Sequence, residues 1–130
     1  MRLLLDTHVW LWVELEPARI PTPLEEVLSD PANELWLSPV SGWELLLLVE
    51  RGRVVLEREV PVWVEECLAG GRYRQAHLNF AVTMAASQVH LPHRDPSDRL
   101  LAATARHYDL LLLTSDLKLQ TGSGYSIYPA

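Results

Sequence analysis

Two carboxylates three residues apart, Asp95 and Asp98, stand at the start of a predicted helix. Asp95 precedes Pro96, which is the pattern of an N-cap residue followed by proline at the first helical position. Asp98 then falls in the first turn, where the helix N-terminus stabilises negative charge. The leucine- and alanine-rich stretch behind them favours a helix and is too apolar to face water on all sides. The two acids therefore either cap this helix or belong to an acidic site at its mouth.

Three further acids stand at the ends of other predicted elements. Asp6 and Asp116 each follow an apolar run typical of a buried strand, and Glu44 lies in the first turn of another helix. Each also has a purely structural interpretation. Asp6 and Asp116 occupy possible N-cap positions, and Ser41-x-x-Glu44 matches a capping box. Capping alone does not explain why acids from separated segments should meet.

The elements that must position these acids alternate between short apolar runs and longer helical stretches. The predicted strands are 2–6, 34–37, 76–78, 110–113 and 125–128, with a small extended piece at 54–56. The predicted helices are 7–16, 23–29 (capped by Thr22), 41–50, 61–69, 79–89 and 96–107. Continuously apolar strands that alternate with helices predict a parallel sheet covered on both faces. We therefore expect one α/β domain over residues 1–130.

In an open parallel sheet, ligands bind outside the carboxyl ends of the strands. Asp6, Glu44, Asp98 and Asp116 should all reach that rim, and no lysine accompanies them. Clustered carboxylates repel and raise one another's pKa unless cations are present. Mg²⁺ and Mn²⁺ take such oxygen ligands and can activate a water for in-line attack on phosphate. The pattern thus predicts metal-assisted phosphoester hydrolysis.

Composition excludes several other classes. The chain has 48% hydrophobic and 22% charged residues, which is typical of a globular protein, and no run long enough to cross a bilayer. Cys67 is the only cysteine, so neither a disulfide framework nor a cysteine zinc site is expected. Without a secretory signal pattern, a cytoplasmic location is expected. The net charge of −6 argues against general adhesion to nucleic acid, although not against one local site.

Other catalytic motifs are missing from the sequence. It contains neither a Gly-x-x-x-x-Gly-Lys phosphate loop nor a Gly-x-Ser-x-Gly elbow, and its five histidines lack zinc-binding spacing. His8 is a further candidate for the site because it follows Asp6 so closely. The tryptophans are more typical of a core than of a base-stacking surface. For Trp43 the choice between these two roles is most open, because it adjoins Glu44.

Four segments, in this order, resemble the motifs of PIN-domain ribonucleases, most closely the toxins of VapBC-type toxin–antitoxin modules. They are Leu4-Leu5-Asp6-Thr7-His8, Ser41-x-Trp43-Glu44, Asp95-Pro96-Ser97-Asp98-Arg99-Leu100-Leu101-Ala102-Ala103-Thr104-Ala105 and Leu113-Thr114-Ser115-Asp116. The resemblance spans residues 1 to about 128. It implies a three-layer α/β/α fold, a Mg²⁺- or Mn²⁺-dependent endoribonuclease that is usually dimeric, and a cognate antitoxin that blocks the site.

By position, the resemblance assigns the acidic quartet of the family to Asp6, Glu44, Asp98 and Asp116. Thr7 and Ser115 match hydroxyl positions that support the site, Arg99 can contact phosphate or an acid, and Asp95 is a cap or an outer group.

The sequence departs from the family at two positions. Leu48 stands where many relatives carry a lysine, so a basic partner for Glu44 is missing, and Ser97 replaces a bulky apolar residue.

Two other functions remain as alternatives to an RNase. A PIN domain without activity would serve only to bind another protein, although the intact quartet argues against it. A haloacid-dehalogenase-like phosphatase also begins with an apolar strand and an aspartate. Its chemistry needs a second aspartate two residues later, where this chain has His8.

Overall fold

Five parallel strands form the central sheet in the computed structural model, which describes residues 1–129. They are β1 (Arg2–Leu5), β2 (Glu34–Leu37), β3 (Tyr73–Gln75), β4 (Leu111–Thr114) and β5 (Ser126–Pro129). The strand order is β3-β2-β1-β4-β5, so β1 lies in the middle and pairs with β2 and β4. The carboxyl ends of β1 and β4 are therefore neighbours at one edge of the sheet.

Seven α-helices connect and cover these strands in the described part of the chain. They are α1 (Thr7–Leu15), α2 (Thr22–Ser29), α3 (Pro39–Glu50), α4 (Val60–Ala69), α5 (Phe80–Ala85), α6 (Pro96–Tyr108) and α7 (Leu117–Gln120). No helix within residues 1–129 is both long and apolar enough to cross a membrane.

Alternate residues of β1 face opposite sides of the sheet. Leu3 and Leu5 lie in one buried cluster with side chains from α1 to α4, and Leu4 lies in a second cluster with side chains from α6. All three leucines are fully buried. Burial on both faces explains why the strand is apolar throughout rather than alternating. The predicted three-layer α/β/α arrangement is confirmed.

The packing of α1 against the sheet depends on one tryptophan. Trp10 is 1% exposed, and its ring lies 5.4 Å from that of Trp63 on α4, measured between centroids and at a tilted angle. Burying an aromatic side chain of this size contributes on the order of 2–3 kcal/mol. This contact fixes α1, and with it the β1–α1 junction, relative to the rest of the core.

Several sequence predictions about the elements are wrong in detail. The third strand is β3 at 73–75 rather than 76–78, because residues 73–75 are the ones that pair with Leu35, Trp36 and Leu37, and β2 ends at Leu37. Residues 54–56 form no strand, and Val55 is 86% exposed.

Two helices also differ from their predicted form. Helix α5 ends at Ala85 and continues as a 3₁₀ turn, where the Ser87 hydroxyl donates to the Met84 carbonyl at 2.9 Å. Thr22 does not cap α2, since the N-cap position is held by Pro21.

A glycine turn before β5 is held against the segment that follows α5. His90 and Ser123 form an antiparallel bridge, with N–H···O distances of 3.0 and 2.9 Å. Gly124 has φ +92, and a Cβ atom there would lie 2.2 Å from the carbonyl oxygen of Gln88. Gly71 also has positive φ (+73), but a Cβ atom there would meet nothing within 4 Å.

We predict that Gly124→Ala destabilises the protein more than Gly71→Ala. Both variants force an L-residue into the left-handed region, which costs about 1–2 kcal/mol. Only Gly124→Ala adds a clash with backbone that cannot move without breaking the bridge to His90. The measurement is urea unfolding of both variants and the wild type at 25 °C. Equal losses of stability would contradict the close approach at Gly124.

Candidate active site

Asp6 occupies the junction between β1 and α1 and is 4% exposed. Its Oδ1 accepts a hydrogen bond from the Val9 amide at 2.8 Å, which caps α1. Its Oδ2 accepts a short hydrogen bond from the hydroxyl of Thr114, the last residue of β4. Burial raises the pKa of Asp6, and the hydrogen bonds from Thr114 and Val9 oppose that shift.

Thr114 connects Asp6 to Asp116. The Thr114 hydroxyl donates to Asp6 and accepts from the Asp116 amide at 3.0 Å. Asp116 is exposed and caps α7, its Oδ1 accepting from the Lys118 amide at 2.9 Å. The resemblance assigned a supporting hydroxyl to Ser115, but the structure brings the Thr114 hydroxyl to these acids. Nothing local in the sequence indicates this contact, because Thr114 and Asp6 are 108 residues apart.

Glu44 lies on the inner side of α3 and is held by Thr7. The Thr7 hydroxyl donates to Glu44 Oε1 at 2.5 Å and is also hydrogen-bonded to the Ser41 hydroxyl at 2.9 Å. Burial raises the pKa of Glu44, whereas the hydrogen bond from Thr7 lowers it.

The capping-box interpretation of Glu44 is wrong. Helix α3 begins at Pro39 and is capped by Ser38, whose Oγ accepts from the Val40 amide at 3.0 Å. Ser41 therefore lies inside the helix, and Glu44 plays no part in capping the N-terminus of α3. Ser38 followed by Pro39, the first residue of the helix, is the sequence signal that identifies the true N-cap.

Asp95 and Asp98 have different roles at the start of α6. Asp95 Oδ1 accepts from the Ser97 amide at 2.9 Å and the Asp98 amide at 3.4 Å, which makes Asp95 the N-cap. Asp98 caps nothing, and its carboxylate faces the other acids. Its pKa is raised to about 7, chiefly by burial and then by the charges of Asp95, Glu44, Asp116 and Asp6.

His93 also contacts this helix mouth, which the sequence did not reveal. Its Nδ1 accepts from the Asp95 amide at 3.0 Å, so in the neutral ring the proton is on Nε2. Nε2 lies 3.4 Å from Asp98 Oδ2. His93 thus lies beside Asp98, although its Nε2 atom makes no hydrogen bond, and its position two residues before the cap is the only sequence signal.

One cavity of 110 Å³ brings the predicted acids together. Its lining residues are Asp6, Thr7, His8, Glu44, Asp95, Asp98, Leu101, Asp116 and Leu119. Within the described ranges, neither a lysine nor an arginine lines it. Among the residues that line the cavity, His8 opposes the negative charge and lowers the pKa of both Asp6 and Glu44.

Two predicted supporting residues, Ser115 and Arg99, are not among the residues that line this cavity. Arg99 Nε instead donates to the Ala86 carbonyl at 3.0 Å, next to the 3₁₀ turn after α5. The structure therefore places Thr7, Asp95 and the acidic quartet around one space, and it places Arg99 outside.

The donor set fits a hard divalent cation in its chemistry. All the acidic donors are carboxylate oxygens, which Mg²⁺ and Mn²⁺ prefer, and burial together with mutual repulsion raises the pKa of three of them. A bound cation would offset that repulsion. As placed, however, no three histidine, cysteine, aspartate or glutamate side chains in residues 1–129 converge on a common centre.

Comparison with known proteins identifies relatives along most of the chain. Residues 3–122 match the family model of the PIN domain. The chain is 32% identical over 122 residues to Ribonuclease VapC22 of Mycobacterium tuberculosis (strain ATCC 25618 / H37Rv), which covers 92% of this chain and 90% of that protein.

Solved structures share the fold. A chain in the crystal structure of VapBC2 from Rickettsia felis, bound to a DNA fragment from their promoter, aligns with a TM-score of 0.69 at 15% identity, covering 99% of this chain and 98% of that one. A chain of DNA-bound VapBC from Salmonella typhimurium aligns with a TM-score of 0.66, also at 15% identity and over the same shares.

We predict that Asp95→Ala destabilises the protein and that Asp95→Asn does so much less. Alanine leaves the amides of Ser97 and Asp98 without their acceptor, which costs about 1 kcal/mol, whereas asparagine caps as well as aspartate. Urea unfolding of both variants measures the difference. If the asparagine variant unfolds as easily as the alanine variant, the charge of Asp95 rather than its capping oxygen accounts for the loss.

Proposed function

This chain belongs to the PIN-domain family, and from that premise we propose that it is a metal-dependent endoribonuclease, the toxin of a toxin–antitoxin pair. The observation that carries the proposal is the single cavity lined by Asp6, Glu44, Asp98 and Asp116 at the carboxyl ends of β1 and β4. A carboxylate cluster at this edge of a parallel sheet is suited to hydrolysis of phosphodiesters. The relative named Ribonuclease VapC22 supports RNA as the substrate.

Three of the acids, Asp6, Asp98 and Asp116, would hold Mg²⁺ or Mn²⁺, and Glu44 would ligate it or orient the attacking water. The ion supplies charge neutralisation and a water whose pKa is low enough for attack near neutral pH. The rest of the chemistry belongs to the protein. Thr114 and Thr7 hold the carboxylates of Asp6 and Glu44 in place.

Glu44 suits the transfer of a proton from the attacking water. Its Oε1 is held by Thr7, and burial raises its pKa, which makes the carboxylate a stronger proton acceptor. The lysine that many relatives carry near this glutamate is replaced by Leu48. His8 provides the nearby basic group instead, because it lines the same cavity and lowers the pKa of Glu44. Cleavage leaves a 5′-phosphate and a 3′-hydroxyl.

The partners in this proposal are an RNA substrate, a cognate antitoxin and a second copy of the chain in a homodimer. The aligned structures are VapBC complexes, which supports an antitoxin partner. The protein acts in the cytoplasm, where its RNA substrates are found.

A PIN domain that binds a protein partner without cutting RNA is the second candidate. The observation that favours it is that the carboxylates in the described chain do not converge on a common centre. The two functions differ in what the acids must do, so substitution of single acids separates them.

We predict that Asp6→Asn or Asp98→Asn lowers cleavage of single-stranded RNA by more than about 100-fold. Even outer partners of metal ligands typically change metal affinity or activity by 10–100-fold. Cleavage is measured with Mg²⁺ or Mn²⁺ and again with EDTA. The matched control is Asp30→Asn, since Asp30 is an exposed acid outside the cavity. Cleavage that survives EDTA and both substitutions contradicts the proposal, and no cleavage by the wild type favours the binding module.

We also predict that Mn²⁺ stabilises the wild type but not Asp98→Asn. A ligand at 100 times its Kd adds about 2.7 kcal/mol to stability when it binds only the folded state. Thermal unfolding with and without Mn²⁺ measures this without any RNA. In EDTA, Asp98→Asn should unfold no more easily than the wild type, because it removes a charge that the other acids repel. Equal stabilisation of both proteins by Mn²⁺ would remove Asp98 from the ion site.

A further inference from the structure

Trp43 differs from the other tryptophans in its exposure. Trp10 is buried, and Trp12, Trp36 and Trp63 are partly buried and packed against the two main core clusters. Trp43 is 58% exposed and belongs to none of the core clusters. Packing in the core therefore does not explain why a tryptophan stands at this position of α3.

Trp43 lines a groove of 400 Å³ that adjoins the acidic cavity. The two spaces share His8, Glu44 and Asp95 in their linings. The groove is therefore the space next to the acidic cavity that a nucleotide beside a reacting phosphate can reach.

The groove combines an apolar surface with a cation. Trp43 and Leu47 are four residues apart on α3, and Arg51 follows four residues later at its C-cap, so the three lie along one side of the helix, where Leu48 adds to the same lining. In the part of the chain that the structure describes, Arg51 forms no salt bridge, and its side chain is exposed. Its charge is thus available to a ligand.

We propose that Trp43 is the stacking surface for an unpaired base next to the scissile phosphate of the RNA. This proposal rests on the nuclease function proposed above and adds a specificity-determining residue to it. Single-stranded RNA is typically bound by stacking its unpaired bases on aromatic side chains and by cations along its backbone. Trp43 supplies the flat surface, and Arg51, two turns along the same face, supplies the cation.

The net charge of the chain is −6, and within residues 1–129 Arg51 is the one arginine or lysine side chain that lines this groove and could meet an RNA backbone there. An apolar segment of a protein partner is the competing occupant. The base is favoured because the groove opens directly into the cavity where a phosphate would react.

The first experiment measures RNA binding by fluorescence anisotropy, with a 5′-fluorescein-labelled, mixed-sequence, single-stranded 12-mer RNA. All proteins carry Asp98→Asn so that the RNA is not cut. We expect Trp43→Ala to weaken binding roughly 5- to 150-fold, the range measured for loss of one stacked base. Trp43→Phe should keep most of the affinity, because a phenyl ring also stacks.

The matched control is Phe80→Ala. Phe80 is an aromatic residue on α5, 87% exposed and outside the groove. Its loss should leave RNA binding unchanged. Urea unfolding of each variant shows whether the fold is retained. The Trp43→Ala variant should have the same midpoint urea concentration as its Asp98→Asn parent, because the Trp43 side chain is outside the core.

A second measurement tests for the base itself. Each nucleotide of the 12-mer is replaced in turn by an abasic nucleotide, and binding is compared between Trp43 and Trp43→Ala proteins. Stacking predicts that the abasic replacement which weakens binding most in the Trp43 protein causes no further loss in Trp43→Ala. A purely structural role for Trp43 would not produce this non-additivity.

The inference is overturned if Trp43→Ala binds the RNA as tightly as its parent, if Trp43→Phe is as weak as Trp43→Ala, or if the abasic losses are additive at every position. Unchanged RNA binding would leave the groove to a protein partner. The outcome is separate from that of the proposed function, which is tested by cleavage with Asp98 intact. If the wild type does not cut RNA but the affinity for RNA depends on Trp43 and on one base, the nuclease function is refuted and the stacking role of Trp43 stands.

Discussion

Burying carboxylates beside one another costs free energy, and the carboxyl edge of this sheet is arranged around that cost. Burial raises the pKa of Asp6, Glu44 and Asp98, and the charges of neighbouring acids raise it further. The protein offsets the cost with donors already fixed by the fold, namely the hydroxyls of Thr7 and Thr114 and the amides at helix starts. These groups stabilise the charged form without filling the cavity.

The acids differ in how firmly they are held. Asp6 and Asp116 each cap a helix, and Glu44 is held by one hydroxyl. Asp98 caps no helix and lies 3.4 Å from the Nε2 atom of His93, and burial, followed by the charges of the acids around it, raises its pKa to about 7. Unlike Asp6 and Asp116, Asp98 therefore has no helix amide that fixes its carboxylate.

The sequence predicts this site better than it predicts the contacts that support it. Asp6 and Asp116 follow buried parallel strands, and that topology alone directs them to one edge. Glu44 was expected there although its capping interpretation was wrong, since Ser38 and not Ser41 starts the helix. The hydrogen bond from Thr114 to Asp6 joins residues too far apart for any local pattern to reveal. Short, exposed elements such as β3 were also misplaced, because little buried apolar surface determines their register.

The bond between Thr114 and Asp6 also determines when the site can exist during synthesis. A nascent chain that has reached residue 110 already contains Asp6, Glu44 and Asp98, but it lacks β4 and therefore Thr114 and Asp116. The middle strand β1 then has β2 as its neighbour but not β4. The acidic cavity can therefore be complete only after β4 and the residues that follow it have been made.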